Sequence, residues 1–266
     1  MPELPEVETI RRQIAPAIAG KRIDSAWHAP NPKFVAASDV IGRTVASVSR
    51  RGKYLLFALD EDRELIVHLG MTGVVRLRSG ASTDPYVRAW WAFDDETVLE
   101  LRDVRQFGRV AAVAAGDYRT LPTLYALGPD PFDPDLTSRD FYRSLRKSTQ
   151  RVKTQLLSQR PIAGVGNIYA DEALWRARVH PAARRVSQPR AHELLGALRA
   201  VLAQGIDNGG TTLRDYRSFT GESGSNQHSL DCYGRHGQPC NRCGTALVRR
   251  VYDGRGTTFC TVCQRA

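Results

Sequence analysis

Leu4, Val7, Ile10, Ile14 and Ile18 recur at spacings of three and four, one apolar stripe of a helix over residues 3–19. Arg11 and Arg12 fall on its other faces. Pro5 lies in the first turn, where its missing N–H does no harm, and Gly20 is a natural stop. Between about residues 40 and 115 the pattern becomes strand-like. Short β-rich runs at 45–48, 54–59, 65–69, 74–77, 87–93, 98–101 and 110–113 are separated by Gly, Asp and Arg clusters. Seven or so short strands with tight connections predict a β-sandwich. Residues 121–138 carry Pro122, Pro129, Pro131 and Pro134, a linker composition. Helical runs follow at 140–146, 152–159, 168–177 and 191–206, the last striped by Leu194, Leu195, Leu198, Val201 and Leu202. Residues 217–231 are polar and rich in Gly and Ser, which predicts a mobile loop.

The chain has 266 residues, 42% apolar and 25% charged, enough to bury a core. That composition excludes disordered, collagen-like and disulfide-scaffold classes. No apolar run approaches the roughly 20 residues that cross a bilayer. The first residues are acidic where a secretory signal is basic and then apolar, so the expected location is the cytoplasm. The net charge of +10 points to a polyanionic partner, because neutralising nucleic-acid phosphates releases counterions. A merely solvated basic surface is the plain alternative. Of the 38 basic residues 33 are arginine, which stays protonated, so lysine chemistry is confined to Lys21, Lys33, Lys53, Lys147 and Lys153.

All five cysteines fall in residues 232–266. Cys240-x-x-Cys243 and Cys260-x-x-Cys263, 16 residues apart, have the spacing of a four-cysteine zinc site. Four thiolates leave no open coordination position, so one structural Zn²⁺ is expected. Disulfides fit poorly with a reducing cytoplasm, and an iron–sulfur cluster is the remaining alternative. The runs at 246–252 and 257–259 form a hairpin around Asp253-Gly254, and Cys232 reads as a small buried residue. Six Arg against one Asp in this stretch suit a nucleic-acid finger.

Four segments, in order along nearly the whole chain, resemble the formamidopyrimidine-DNA glycosylase/endonuclease VIII family. They are Pro2-Glu3-Leu4-Pro5-Glu6-Val7-Glu8-Thr9; Arg51-Gly52-Lys53-Tyr54-Leu55 with His68-Leu69-Gly70-Met71-Thr72-Gly73; Gly164-Val165-Gly166-Asn167-Ile168-Tyr169-Ala170-Asp171-Glu172; and the CxxC pair. The resemblance implies an α+β fold in three parts. Residues 1–130 would be a catalytic β-sandwich with a leading helix, 131–231 a helix-two-turns-helix DNA-binding domain with a lesion-capping loop, and 232–266 the zinc hairpin. It also implies a monomer that holds damaged double-stranded DNA between its lobes, in a bacterial-type cytoplasm, nucleoid-associated through that binding.

The same resemblance distributes roles. Removal of Met1 would leave Pro2 with a secondary amine, and α-amino groups titrate near ~8 in model peptides. Pro2 is then the nucleophile that attacks C1′ and forms an iminium; otherwise it simply starts a helix. Glu3, beside it at the positive end of the helix, handles the sugar oxygen as the ring opens. Helix capping accounts equally well for Glu6 and Glu8. Lys53 is the general acid that assists loss of the base, where a plain reading makes it a solvated hairpin tip. Met71, Arg105 and Phe107 are the side chains that enter the duplex when a nucleotide is everted; core packing and a surface ion pair are their ordinary alternatives. Asn167, with the backbone of Gly164–Asn167, and Lys153 contact phosphate. Arg255 grips the phosphates flanking the lesion and assists δ-elimination.

Three departures from the family pattern bear on lesion preference. Gln106 stands where a second Arg is usual, the loop 221–228 lacks an aromatic pair, and no histidine lies between His68 and His180. The expected activity is excision of oxidised purines, such as 8-oxoguanine and formamidopyrimidines, followed by β,δ-elimination. The alternatives are an endonuclease VIII-like preference for oxidised pyrimidines or another unusual lesion, and a catalytically inactive damaged-DNA-binding protein. A catalytic zinc hydrolase conflicts with a metal closed by four thiolates.

Overall fold

The computed structural model describes residues 1–266 except Ala81, Arg214, Asp215 and Ala266. The chain divides into two compact units, Met1–Tyr125 with Asn208–Ser225, and Ala126–Asp207 with Asn226–Ala266.

The first unit opens with α1 (Leu4–Ile18) and continues through β1 (Ile23–His28), β2 (Val45–Arg51), β3 (Tyr54–Leu59), β4 (Arg63–His68), β5 (Val74–Ser79), β6 (Val87–Phe93), β7 (Thr97–Arg102) and β8 (Arg109–Ala114) to a single turn, α2 (Pro122–Tyr125). The strands form two antiparallel four-stranded sheets, ordered β1-β6-β7-β5 and β2-β3-β4-β8. Their inner faces share one core. Trp91, Ala89, Leu99 and Leu101 come from the first sheet, Leu55, Phe57, Leu65 and Val67 from the second. The α1 stripe of Val7, Ile10, Ile14 and Ile18 packs into the same cluster, so the leading helix is part of the core rather than an appendage. Alternation is cleanest in β6, where Val87, Ala89, Trp91 and Phe93 point inward. Trp91 satisfies its buried indole N–H on the Ala37 carbonyl at 3.0 Å.

The second unit contains α3 (Ser138–Arg146), α4 (Val152–Leu157), α5 (Asn167–Arg176), α6 (Gln188–Asp207) and the hairpin β9 (Val248–Tyr252) with β10 (Arg255–Phe259). Thr137 caps α3 by accepting from the Asp140 N–H. The apolar stripe of α6 is buried as its spacing requires. An added Cβ at Gly205 would sit 2.6 Å from the Tyr169 ring, which measures how closely α5 and α6 approach. No helix among the described residues is long and apolar enough to cross a membrane.

Two groupings differ from the sequence expectation. Residues 208–225, including part of the expected capping loop, cluster with the first unit instead of with the helices that precede them. The cysteine-bearing hairpin packs within the second unit.

Candidate functional site

At the start of α1, Pro2 and Glu3 are buried, Glu3 to 2% exposure. Glu6 organises this corner. Its Oε2 accepts the Glu3 N–H at 2.8 Å, capping the helix, and its Oε1 accepts the Thr211 N–H at 2.7 Å. The same carboxylate therefore holds the cap and docks residues 208–225. Tyr216 completes the dock: its ring lies in the sandwich core and its hydroxyl donates to the Gly209 carbonyl at 3.1 Å. Burial, with the Glu6 charge nearby, pushes that phenol upward. Glu8 serves structure. Burial alone would raise its pKa, but hydrogen bonds from Arg11 and Arg12 and the field of Arg50 bring it down to about 2.

Lys53 occupies the two-residue turn between β2 and β3 and is only 4% exposed, so it is not a solvated tip. Beside it is His68, whose ring centroid lies 4.6 Å from that of Tyr54. Burial, then the charges of Lys53 and Arg109, lower the His68 pKa to about 4. Its Nδ1 accepts the Gly70 N–H at 3.2 Å, which puts the ring proton on Nε2 at neutral pH. A neutral imidazole adds no further positive charge next to the lysine.

Met71, Arg105 and Phe107 sit on two loops that are locked together. Thr72 donates to Asp103 Oδ1 at 2.6 Å and accepts the Arg105 N–H at 3.1 Å, while Asp103 Oδ2 accepts the Gly108 N–H at 2.7 Å. Asp103 is fully buried. Gly70, at φ +62°, is the point of closest approach: a Cβ there would lie 2.4 Å from the Phe107 carbonyl carbon. From this rigid base, Met71 and Phe107 stand 36% and 47% exposed, and the Arg105 guanidinium lies 4.8 Å from the Phe107 ring centre. Exposed apolar side chains on so fixed a base are not core packing. Gln106 turns away from them, its Oε1 accepting from Asn31 at 2.9 Å and its carbonyl from Lys33 Nζ at 2.8 Å.

In the second unit Lys153 departs from the expected role. It is 1% exposed; its Nζ lies 2.6 Å from Asp171 Oδ1 and donates to the Gly256 carbonyl at 3.1 Å and the Thr257 hydroxyl at 2.9 Å. An ammonium buried against a carboxylate and two oxygens is not presented to a phosphate; it joins α4 and α5 to the hairpin. Asn167 opens α5 and also donates to Gly256, at 3.1 Å. Arg255 is exposed, and its guanidinium has no partner among the described residues.

The four expected thiol ligands, Cys240, Cys243, Cys260 and Cys263, place their sulfur atoms within 4.8 Å of one another. Tetrahedral zinc with Zn–S near ~2.3 Å has S···S edges of about 3.8 Å, so the cluster fits one ion with no room for a substrate. The Trp175 indole donates to Cys240 Sγ at 3.3 Å, the kind of outer contact that steadies a thiolate. Cys232 is buried in the same cluster, its thiol donating to the Thr258 carbonyl at 3.0 Å, and burial holds it protonated.

Sequence reasoning passed over the carboxylates that dock this hairpin. Asp171, pushed up to about 6 by burial against the pull of Lys153, accepts the Thr258 N–H at 2.9 Å. Glu172 accepts the backbone N–H groups of Asp231, Cys232 and Tyr233 at 2.9, 2.8 and 2.7 Å. Both lie in a quoted motif, but their partners are some 60 to 87 residues distant and leave no local pattern. Glu6 did carry a signal, a carboxylate three residues after the cap.

A helix-led β-sandwich with a buried carboxylate and lysine, followed by a helical unit ending in a four-thiol hairpin, defines a two-unit α+β protein with a zinc-finger-like hairpin. Residues 1–110 match the formamidopyrimidine-DNA glycosylase N-terminal domain, 127–217 its H2TH domain, and 237–266 the zinc finger found in FPG and IleRS. The formamidopyrimidine-DNA glycosylase of Deinococcus radiodurans is 47% identical, over 99% of this chain and 97% of its own. That of Thermus thermophilus is 45% identical over 99% and 98%. Among solved structures, the MutM (Fpg) protein of Thermus thermophilus superposes with a TM-score of 0.91 at 44% identity, covering 99% and 98%. Lactococcus lactis Fpg in complex with abasic-site DNA gives 0.88 at 36%, covering 99% and 100%. The chain belongs to the formamidopyrimidine-DNA glycosylase family.

Proposed function

We propose that this chain is a bifunctional DNA glycosylase and abasic-site lyase that excises oxidised purines and cuts the strand by β,δ-elimination. The observation that carries the reading is the burial of Glu3 and Lys53, two ionisable groups the chemistry requires, in the unit that begins with Pro2. With Met1 removed, the Pro2 amine attacks C1′ of an everted nucleotide. The glycosidic bond breaks and the leaving base takes a proton from Lys53. Glu3 protonates the ring oxygen as the sugar opens, which leaves an iminium on Pro2. Loss of a C2′ proton expels the 3′-phosphate, and loss of the C4′ proton then expels the 5′-phosphate beside Arg255. Met71, Arg105 and Phe107 fill the space the nucleotide vacates. Zinc, bound by the four thiols, holds the hairpin and takes no chemical step.

The division of labour follows: catalysis from the N-terminal sandwich, DNA grip from the helical module and the hairpin. The protein acts as a monomer on damaged duplex DNA, in the cytoplasm at the nucleoid. The altered loop at 221–228, with Gln106 and the missing histidine, gives the pyrimidine-directed reading its footing. Borohydride reduction with abasic-site DNA should yield a covalent adduct mapping to Pro2; binding without an adduct would end the lyase reading. Duplexes carrying single lesions decide the branch, since faster release of thymine glycol than of 8-oxoguanine would replace purine by pyrimidine preference.

A further inference from the structure

We propose that Asp253 is a positioning residue that presents Arg255 through a latch on Arg151 and Thr154; this rests on the role given to Arg255 above. Asp253 and Gly254, at φ +48° and +75°, form the two-residue turn between β9 and β10. Asp-Gly suits such a turn because both positions are left-handed. Turn preference explains an aspartate there but not where its carboxylate goes. Oδ1 lies 2.6 Å from Arg151 Nη1, and Oδ2 accepts from the Thr154 hydroxyl. The Arg151 guanidinium also covers the Tyr252 ring, 5.4 Å from its centre, so it holds the strand on the near side of the turn as well.

One residue beyond Arg255, the Gly256 carbonyl accepts from both Lys153 Nζ and Asn167 Nδ2. Arg255 is thus bracketed, tied two residues before by Asp253 and one residue after by Gly256. Its own side chain is the part left exposed. A long arginine pays less entropy to meet a phosphate when its backbone is already fixed. In the second elimination the departing 5′-phosphate takes the electron pair of its C5′–O bond as the C4′ proton leaves, and a correctly placed guanidinium neutralises that charge.

Asp253→Asn tests the latch without disturbing the turn, because asparagine tolerates the left-handed conformation while the charge and one of the two acceptor oxygens that meet Arg151 and Thr154 are lost. Asp253→Asn and Arg151→Ala should each lower the ratio of δ- to β-elimination product about fivefold, the scale of a well-placed exposed ion pair. The rate of borohydride trapping, the first strand cut and the zinc content should stay at wild-type values. The double variant should be no worse than either single one. Arg255→Ala serves as the reference. If it lowers the ratio while Asp253→Asn and Arg151→Ala do not, the latch is wrong and the role of Arg255 stands. An unchanged ratio in Arg255→Ala itself would remove that role, and the latch with it. Loss of zinc or of the first cut in Asp253→Asn would make the contact a general prop of the fold and overturn the proposal.

Discussion

Single side chains divide here into those that carry chemistry and those that make it reachable, and burial separates them. Lys53 is buried on a turn where a lysine would ordinarily be solvated, next to a histidine kept neutral. Lys53→Ala should slow release of the purine at least tenfold while cleavage of preformed abasic DNA persists, because the nucleophile proposed above is the Pro2 amine and not the lysine. A matched time course on lesion and abasic duplexes checks this; equal loss in both would remove the acid role. Glu8 tests the structural side. Its folded pKa of about 2 lies below the unfolded 4.5, so its stabilisation is complete above pH 4.5 and is lost as pH falls toward 2. Glu8→Gln should cost about 2–3 kcal/mol at neutral pH. The gap in urea stability between the two proteins should close across that acid range; a gap independent of pH would contradict the arginine cluster as its source.

Among the elements, the hairpin depends on α5 as much as on its metal. The three N–H groups converging on Glu172 are satisfied by one carboxylate. Glu172→Gln would turn an amide donor toward them and should cost about 2–3 kcal/mol. A faster release of zinc to a colorimetric chelator would show it, and an unchanged rate would mean the metal alone fixes the hairpin. Most elements were legible because their burial is periodic: α1, β6 and α6 follow their stripes closely, while β3 is a short apolar run buried on both faces. β1 was not, since Ile23–His28 fully buries Ile23 alone and a register shift between Ile23 and Ser25 interrupts the weak alternation of the rest. α2 is a single turn hidden in a proline-rich stretch. The residues proposed for the site on α1 and on the two interlocked loops stand in motifs that a sequence displays. The true surroundings of Lys153 were not legible, because a lysine looks the same in sequence whether it faces a phosphate or Asp171.

Over the whole molecule, charge and packing are distributed unequally, and that inequality predicts how metal loss affects DNA binding. Residues 232–266 hold six Arg and one Asp, half of the chain's surplus of +10. None of these residues belongs to the sandwich core, which draws on α1, the eight strands, Phe34, Ala37, Val40, Leu69 and Tyr216. Four thiolates brought within 4.8 Å repel one another without a cation, so removing zinc should open the hairpin and leave the sandwich folded. Each phosphate contact contributes about −0.9 to the slope of log K against log salt for duplex DNA. Chelated protein should therefore bind an abasic duplex more weakly and with a shallower salt dependence. Limited proteolysis should cut first within 232–266 while the sandwich stays resistant. Restored zinc should recover the slope. If affinity fell with the slope unchanged, the hairpin's arginines would not be meeting phosphates, and the basic surplus at this end of the chain would need a different partner.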